Sequence, residues 1–159
     1  NLSVMTNLLL GAGAAERHLI PRSFLHRHTR GWLSDGTVGM AEETLAALGI
    51  GGKANDLAGE LSFGEQKLLE LARAWFASPG TLLLDEPSTG LNGTRQEAVL
   101  RRVETFREQD LTVVLIEHNI KFLLRCADSI VVLKGGRVHR QYARKETSEK
   151  QLRELLGLW

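Results

Sequence analysis

LSFGEQ at residues 61–66 and LLLDEP at residues 82–87 are the stretches of this sequence that decide its fold. The first begins with a helix signal, because Ser62 is a favoured N-cap residue and Glu65 can reach back to the Ser62 amide in a capping box. The second is a continuous apolar run that ends in two acids, which is typical of a parallel strand covered by helices on both faces. Open α/β sheets bind ligands at the carboxyl ends of such strands, so the two acids are candidate site residues.

The start of the predicted helix has the properties of an anion site. The first amides of a helix have no partner inside the helix, and the helix dipole favours negative charge at that end. Gly64 allows a ligand to approach the backbone without a side chain in the way. The sequence therefore predicts that this helix start binds a phosphate group.

Four short segments resemble the motifs of ABC-type ATPases, in the same order and on the expected elements. LSFGEQ is similar to their L-S-G-G-Q signature, and LLLDEP is similar to their Walker B segment. STGLN at residues 88–92 resembles the D-loop, and IEHN at residues 116–119 resembles the switch-histidine loop. The sequence departs from the family pattern at Phe63 and Glu65 in the signature, and at Asn92, where many members carry Asp.

The resemblance implies an α/β fold with a partial P-loop NTPase (RecA-like) core, in which parallel strands are flanked by helices, plus the helical subdomain of ABC ATPases. It divides the chain into three parts. The helical subdomain that ends with the signature helix is 1–76, the Walker B and switch-histidine half of the core is 77–140, and a helical tail is 141–159.

The resemblance also implies roles for the site residues, in a reaction that depends on positioning and electrostatics around ATP and Mg²⁺. Asp85 would hold Mg²⁺, mainly through water, Glu86 would polarise the attacking water, and His118 would contact the γ-phosphate. The signature residues would contact the ATP of a partner subunit; they are Leu61, Ser62, Phe63, Gly64, Glu65 and Gln66. The D-loop residues would complete the nucleotide site across the dimer; they are Ser88, Gly90, Leu91 and Asn92.

Simpler interpretations of the candidate catalytic residues remain open. Asp85 and Glu86 are also compatible with a helix-capping acid beside the turn residue Pro87. A lone histidine at the end of a strand, such as His118, is commonly structural.

The sequence contains no match to the P-loop. Residues 51–53 read Gly-Gly-Lys, but Ala47 and Ala54 stand where the pattern requires Gly and Ser or Thr. The first residue is Asn1, and the stretch after it resembles the region that follows the Gln loop in the family. We therefore expect the chain to be the carboxyl-terminal portion of an ABC ATPase, and to be inactive toward ATP when isolated. We also expect uncovered sheet edges that make the isolated chain poorly stable or prone to self-association.

The function implied is that of the ATP-binding and hydrolysing subunit of an ABC transporter, closest in appearance to importers of branched-chain amino acids. Its partners would be a second ATPase subunit, in a head-to-tail dimer, and transmembrane permease subunits. One alternative is a non-catalytic ABC-like module that completes a partner's ATP site. Another is a chromosome- or repair-type ABC ATPase, which the lack of sustained heptads disfavours.

Composition agrees with a globular protein that does not itself enter the membrane. The chain has 159 residues, is 25% charged and carries a net charge of +1, which gives no indication of a nucleic-acid partner. No apolar run approaches the roughly 20 residues of a membrane span. The resemblance therefore implies a cytoplasmic protein held peripherally at the inner face of the membrane by permease subunits. The single cysteine, Cys126, lies in an apolar helical pattern and is expected to be a buried structural thiol.

The remaining pattern predicts further helices and strands. We expect a helix over residues 2–10 that ends at Gly11 and Gly13, a helix over 38–48, and a helix capped by Thr94 and Glu97. Buried strands are expected over 82–84 and 111–116. A hairpin is expected around Gly135 and Gly136, followed by a last helix capped by Ser148 and Gln151. The basic residues between Arg17 and Arg30 predict a solvated segment, or contact with an acidic or membrane-facing partner.

Overall fold

The structure is a computed structural model that describes residues 2–15, 35–77, 80–109 and 111–157. Its helices are α1 (Val4–Ala15), α2 (Asp35–Ala47), α3 (Phe63–Phe76), α4 (Gly93–Glu108), α5 (Ile120–Cys126) and α6 (Glu149–Leu156). Its strands are β1 (Thr81–Asp85), β2 (Thr112–Ile116), β3 (Ser129–Lys134) and β4 (Arg137–Ala143). The basic segment between Arg17 and Arg30 lies outside the described residues.

The strands form two separate pairs. β1 and β2 are parallel, with Asp85 opposite Ile116, and α4 connects them. The two carboxyl ends therefore meet at one edge, as expected for an α/β fold with parallel strands and connecting helices. β3 and β4 form the predicted antiparallel hairpin, whose turn contains Gly135 and Gly136 at φ angles of 58° and 73°.

Helices α1, α2 and α3 share one hydrophobic core. Leu8 of α1, Leu45 of α2 and Leu68 of α3 are fully buried in it. Leu71, Ala72 and Trp75 of α3 are also buried, so this helix packs an apolar face against the core. The same core continues under β1 through Leu82 and Leu84, so the signature helix and the Walker B strand are packed as one unit.

The predicted end of α1 at Gly11 and Gly13 is wrong, because the helix continues to Ala15. Gly11 has a packing role instead. A Cβ atom at this position would lie 3.0 Å from the carbonyl oxygen of Arg73 in α3, which is tighter than most Cβ contacts, so glycine favours this close approach of the two helices. The helix over residues 38–48 is confirmed as α2, and Gly49 follows it at a φ of 72°.

The expectation that both β strands are buried on both faces is also wrong. Leu82 and Leu84 are buried, but Leu83 between them is 73% exposed. On β2, Val114 and Ile116 are 52% and 59% exposed. The sheet is covered by α4 on one side, where Val99, Leu100, Val103 and Phe106 are buried, and the apolar residues of the opposite face contact solvent. We call this surface of Leu83, Val114 and Ile116 the open face.

The cap of α4 differs from the prediction. Asn92 caps this helix, and its side-chain oxygen accepts a hydrogen bond from the Arg95 amide at 3.0 Å. Glu97 is not a capping residue, because its carboxylate pairs with Arg125 of α5. The predicted capping box of Ser148 and Gln151 in α6 is confirmed.

Candidate functional site

The start of α3 has the predicted capping box. The amide of Ser62 donates a hydrogen bond to the carboxylate of Glu65 at 2.9 Å, and the Ser62 hydroxyl donates to the same carboxylate at 2.7 Å. These two hydrogen bonds, with a smaller contribution from Arg95, hold the pKa of Glu65 below its ordinary value. The acid that departs from the family pattern thus has a local structural role.

Arg95, on α4, was not identified from the sequence but contacts the helix start. Its guanidinium donates to the second oxygen of Glu65 at 3.0 Å, which partly neutralises that carboxylate. It also packs on Gly64, where an added Cβ would lie 3.0 Å from a guanidinium nitrogen. Because Arg95 is far from α3 in sequence, only the packing of α4 reveals this contact.

The other signature residues differ in exposure. Leu61 is buried, and its carbonyl accepts a hydrogen bond from the side chain of Gln66 at 3.1 Å. Phe63 is 71% exposed, and its ring lies against Gly90 of the D-loop-like turn. Gly90 has a φ of 77°, and a Cβ there would lie 2.9 Å from the Phe63 ring, so the turn and the helix start fit together only with glycine.

The side chain of Gln96 holds two carbonyl groups of the D-loop-like turn. Ser88 is 2% exposed, and its carbonyl accepts a hydrogen bond from the Gln96 side chain at 3.2 Å. The same Gln96 nitrogen donates to the Leu91 carbonyl at 3.0 Å. The buried parts of the turn are thereby fixed, while Asn92 is exposed at the start of α4.

The structure brings two of the predicted site residues into direct contact. Nε2 of His118 lies 2.5 Å from Oε1 of Glu86, and the Thr89 hydroxyl donates to Oε2 of Glu86 at 3.1 Å. The hydrogen bond with His118, followed by the one from Thr89, lowers the pKa of Glu86. The side chain of His118 is 76% exposed, so an incoming anion can reach it.

Glu86 does not continue the strand, so the alternation of side chains in an extended chain does not set its direction. Its φ is 46°, a left-handed conformation that non-glycine residues rarely adopt and that is common at functional sites. Its amide still pairs with the Ile116 carbonyl at 2.9 Å, which anchors it beside the end of β2. Glu86 and His118 can therefore meet across the ends of the two strands.

Asp85 ends β1 with an exposed side chain on the same side of the strand as Leu83. Among the described residues its carboxylate has no hydrogen-bond or ion-pair partner. One free carboxylate fits Mg²⁺, which commonly takes one or two protein carboxylates and completes its shell with water and phosphate oxygens. Within the described part of the chain, no group of three or more His, Cys, Asp or Glu side chains could hold a metal alone.

Cys126 is a buried structural thiol, as predicted. It is 7% exposed, and burial raises its pKa to about 11. Each helix that the structure describes is too short or too polar to span a lipid bilayer.

Comparison with known proteins identifies the family. The family model described as ABC transporter matches residues 5–89. The chain is 40% identical over 84 residues to the high-affinity branched-chain amino acid transport ATP-binding protein BraF of Pseudomonas aeruginosa, covering 52% of this chain and 33% of that protein. It is 27% identical over 159 residues to the L-arabinose transport ATP-binding protein AraG of Geobacillus stearothermophilus, covering 98% of this chain and 29% of that protein.

A solved structure of the ATP-binding subunit of an ABC transporter has the same fold, with a TM-score of 0.72 at 21% identity over 99% of this chain and 57% of that one. The chain spans about a third or less of the length of BraF and of AraG. The signature-like and Walker B-like segments fall inside the matched region, which ends at Thr89, the second residue of the D-loop-like segment. The chain therefore belongs to the ABC transporter family, as part of its ATP-binding domain.

Proposed function

We propose that this chain supplies the signature, Walker B and switch-histidine segments of an ATP-hydrolysing subunit that drives an ABC importer. Its three predicted parts would be the helical subdomain at 1–76, the half core at 77–140 and the tail at 141–159. The observation that carries the proposal is the contact between Glu86 and His118, which joins the two predicted catalytic residues at the end of a parallel strand pair.

Within this function, the two ends of the site would act on different nucleotides. The exposed start of α3 would bind the phosphates of ATP held by a second ATPase subunit, since its amides and dipole favour an anion. Asp85 would hold Mg²⁺ beside ATP bound to the subunit's own P-loop. If the Nε2–H of His118 donated its hydrogen bond to a γ-phosphate oxygen and not to Glu86, Oε1 of Glu86 would be free to accept a proton from water.

We propose that the transported solute is a small polar nutrient. Branched-chain amino acids remain our specific candidate, because the chain is 40% identical to BraF over 84 residues. Transmembrane permease subunits would hold the protein at the cytoplasmic face of the membrane. ATP and Mg²⁺ would be its ligands.

ATP turnover tests this proposal. The isolated chain should release phosphate from ATP and Mg²⁺ only at background rate, because no P-loop Lys is present to bind the phosphates. A chimera that places this chain behind the P-loop half of BraF should hydrolyse ATP. The variant Glu86→Gln should lower that rate by about 100-fold or more, the range for loss of a general base.

The matched control is Glu108→Gln, at the exposed end of α4. Turnover by the isolated chain that disappears in Glu86→Gln would contradict the predicted inactivity. A folded chimera that binds ATP without hydrolysing it would support the alternative function, a non-catalytic module that completes a partner's ATP site.

A further inference from the structure

Glu117, the residue directly after β2, joins the two loops that carry the site. Its Oε1 accepts a hydrogen bond from the Ser88 amide at 2.7 Å. Its Oε2 accepts hydrogen bonds from the His118 amide at 3.0 Å and the Asn119 amide at 3.1 Å. One carboxylate therefore binds backbone groups of the turn after β1 and of the turn after β2. We call these three hydrogen bonds the Glu117 clamp.

The clamp connects the two loops that hold Glu86 and His118 in contact. The first loop holds Glu86 through Thr89, the neighbour of Ser88, whose hydroxyl donates to the Glu86 carboxylate and whose amide donates to the Glu86 carbonyl at 3.2 Å. The second loop presents the His118 ring to the other oxygen of the same carboxylate. A shift of either loop would therefore move one of the two donors away from Glu86.

We propose that Glu117 is a positioning residue. Its carboxylate holds the two loops in the relative position at which the His118 ring contacts the Glu86 carboxylate. This inference deepens the proposed function and depends on it only for the reaction that the pair would serve. Both carboxylate oxygens of Glu117 accept hydrogen bonds from backbone amides, and neither contacts the side chain of Glu86 or His118.

The chemistry of the clamp requires a carboxylate. All three partners are N–H donors, and an ionised carboxylate offers acceptor sites on both oxygens. Glutamine has the same shape but only one acceptor oxygen, and its NH₂ group would face an amide donor on the other side. Glu117→Gln should thus release one of the two loops while it preserves side-chain volume.

The test is nuclear magnetic resonance of the 159-residue chain and its Glu117→Gln variant. We expect the Ser88 or the His118 amide to exchange with solvent at least about tenfold faster in the variant, because a hydrogen bond to a charged group is lost. The imidazole resonances of His118 should move to the positions that they take in Glu86→Gln. The resonances of His139, an exposed histidine on β4, and the amide exchange of the β3–β4 hairpin should not change.

Glu108→Gln is the control for loss of one negative charge, and it should leave all these resonances in place. If amide exchange in both loops stays within twofold of wild type, the clamp does not exist. If exchange rises but the His118 imidazole does not move, Glu117 is only a structural residue. Either result overturns the proposal.

Should Glu117→Gln lose the dispersed spectrum of a folded chain, Glu117→Asp decides the question. It keeps the charge but is one methylene shorter, so it cannot reach both loops, and the same shift of His118 is expected. These measurements use no nucleotide. Failure of the clamp and failure of ATP hydrolysis in the chimera are therefore separate outcomes.

Discussion

Leu68 of α3 and Leu83 of β1 show that two apolar regions of the molecule, the helical core and the sheet, are covered to different extents. Both lie in apolar segments, but Leu68 is fully buried and Leu83 is 73% exposed. Leu68 faces a core to which α1 and α2 contribute, whereas Leu83 belongs to the open face of a sheet that α4 covers only on the other side. Hydrophobicity of a segment therefore does not determine its burial, which depends on the elements that pack against it.

The two ends of the site lie in these two regions. The start of α3 is supported by the completed core and by Arg95 of α4. Asp85 ends the strand whose outer face is open, and Glu86 directly after it is held by hydrogen bonds with Thr89, His118 and the Ile116 carbonyl. The proposed phosphate-binding end is thus a helix terminus supported by a packed core, whereas the acidic end depends on the contacts of its loops.

We call the core shared by α1, α2 and α3 the closed region. The largest effect should come from removing a leucine side chain there. We expect Leu68→Ala to reduce the free energy of unfolding by about 3 kcal/mol, since it removes packed methyl groups and leaves a cavity. The matched change Leu83→Ala should cost less than about 0.5 kcal/mol, because that side chain is already in solvent. Urea unfolding followed by circular dichroism measures both values. Equal losses would show that the open face is buried in solution and would remove the contrast.

A second effect concerns association through the open face. We expect the isolated chain to self-associate, because strand surface and edge are available for pairing. The double variant with Leu83→Thr and Ile116→Thr should raise the dissociation constant by about tenfold or more, given the roughly 1.5–3 kcal/mol gained when such a side chain is buried. Sedimentation velocity measures it, with Val138→Thr, at an exposed position of the hairpin, as the control. A monodisperse wild-type monomer would contradict this prediction.

The smallest effect tests the closed region through pH. Hydrogen bonds from Ser62 lower the pKa of Glu65 from its ordinary value of 4.5, so this carboxylate stabilises the fold above that pH and loses its contribution as the pH falls through the lower folded value. Glu65→Gln should therefore be less stable than wild type at neutral pH, and the difference should narrow in acid.

Urea unfolding between about pH 7 and pH 3 provides the measurement. Glu108→Gln is again the control, and its effect on stability should be small, because among the described residues Glu108 has no hydrogen-bond or ion-pair partner. A difference between Glu65→Gln and wild type that stays constant over this range would show that the capping box is not held by the ionised carboxylate.

Local patterns predicted most of the helices and strands and one end of the site. The capping boxes at Ser62 and Ser148 require residues only three positions apart, so they can be read directly from the sequence. Glu117 and Arg95 were missed as site residues because their partners are 29 and 30 positions away. Glu117 lies inside the IEHN segment that resembles the switch-histidine loop, but its hydrogen bond to the Ser88 amide has no signal in the sequence.

Prediction failed where burial or chain direction depends on neighbouring elements. The end of α1 was misplaced because glycine usually marks a helix end, whereas Gly11 is present to let α1 approach the Arg73 backbone. Burial of β1 and β2 was overestimated because an apolar run indicates what a strand can bury and not what covers it. The contact between Glu86 and His118 was not predicted, because the φ of 46° at Glu86 has no signature in a sequence.

The sequence by itself determined the family motifs, the helix start that favours an anion, and the acids at the end of a parallel strand, because each depends on residue type and short spacing. Only the tertiary structure brought Glu86 to His118, Arg95 to Glu65, and both site loops to Glu117. The parallel register of β1 and β2 places the two site loops, about thirty residues apart in sequence, at the same sheet edge, and the packing of α4 brings Arg95 to the start of α3. No local propensity encodes that distance.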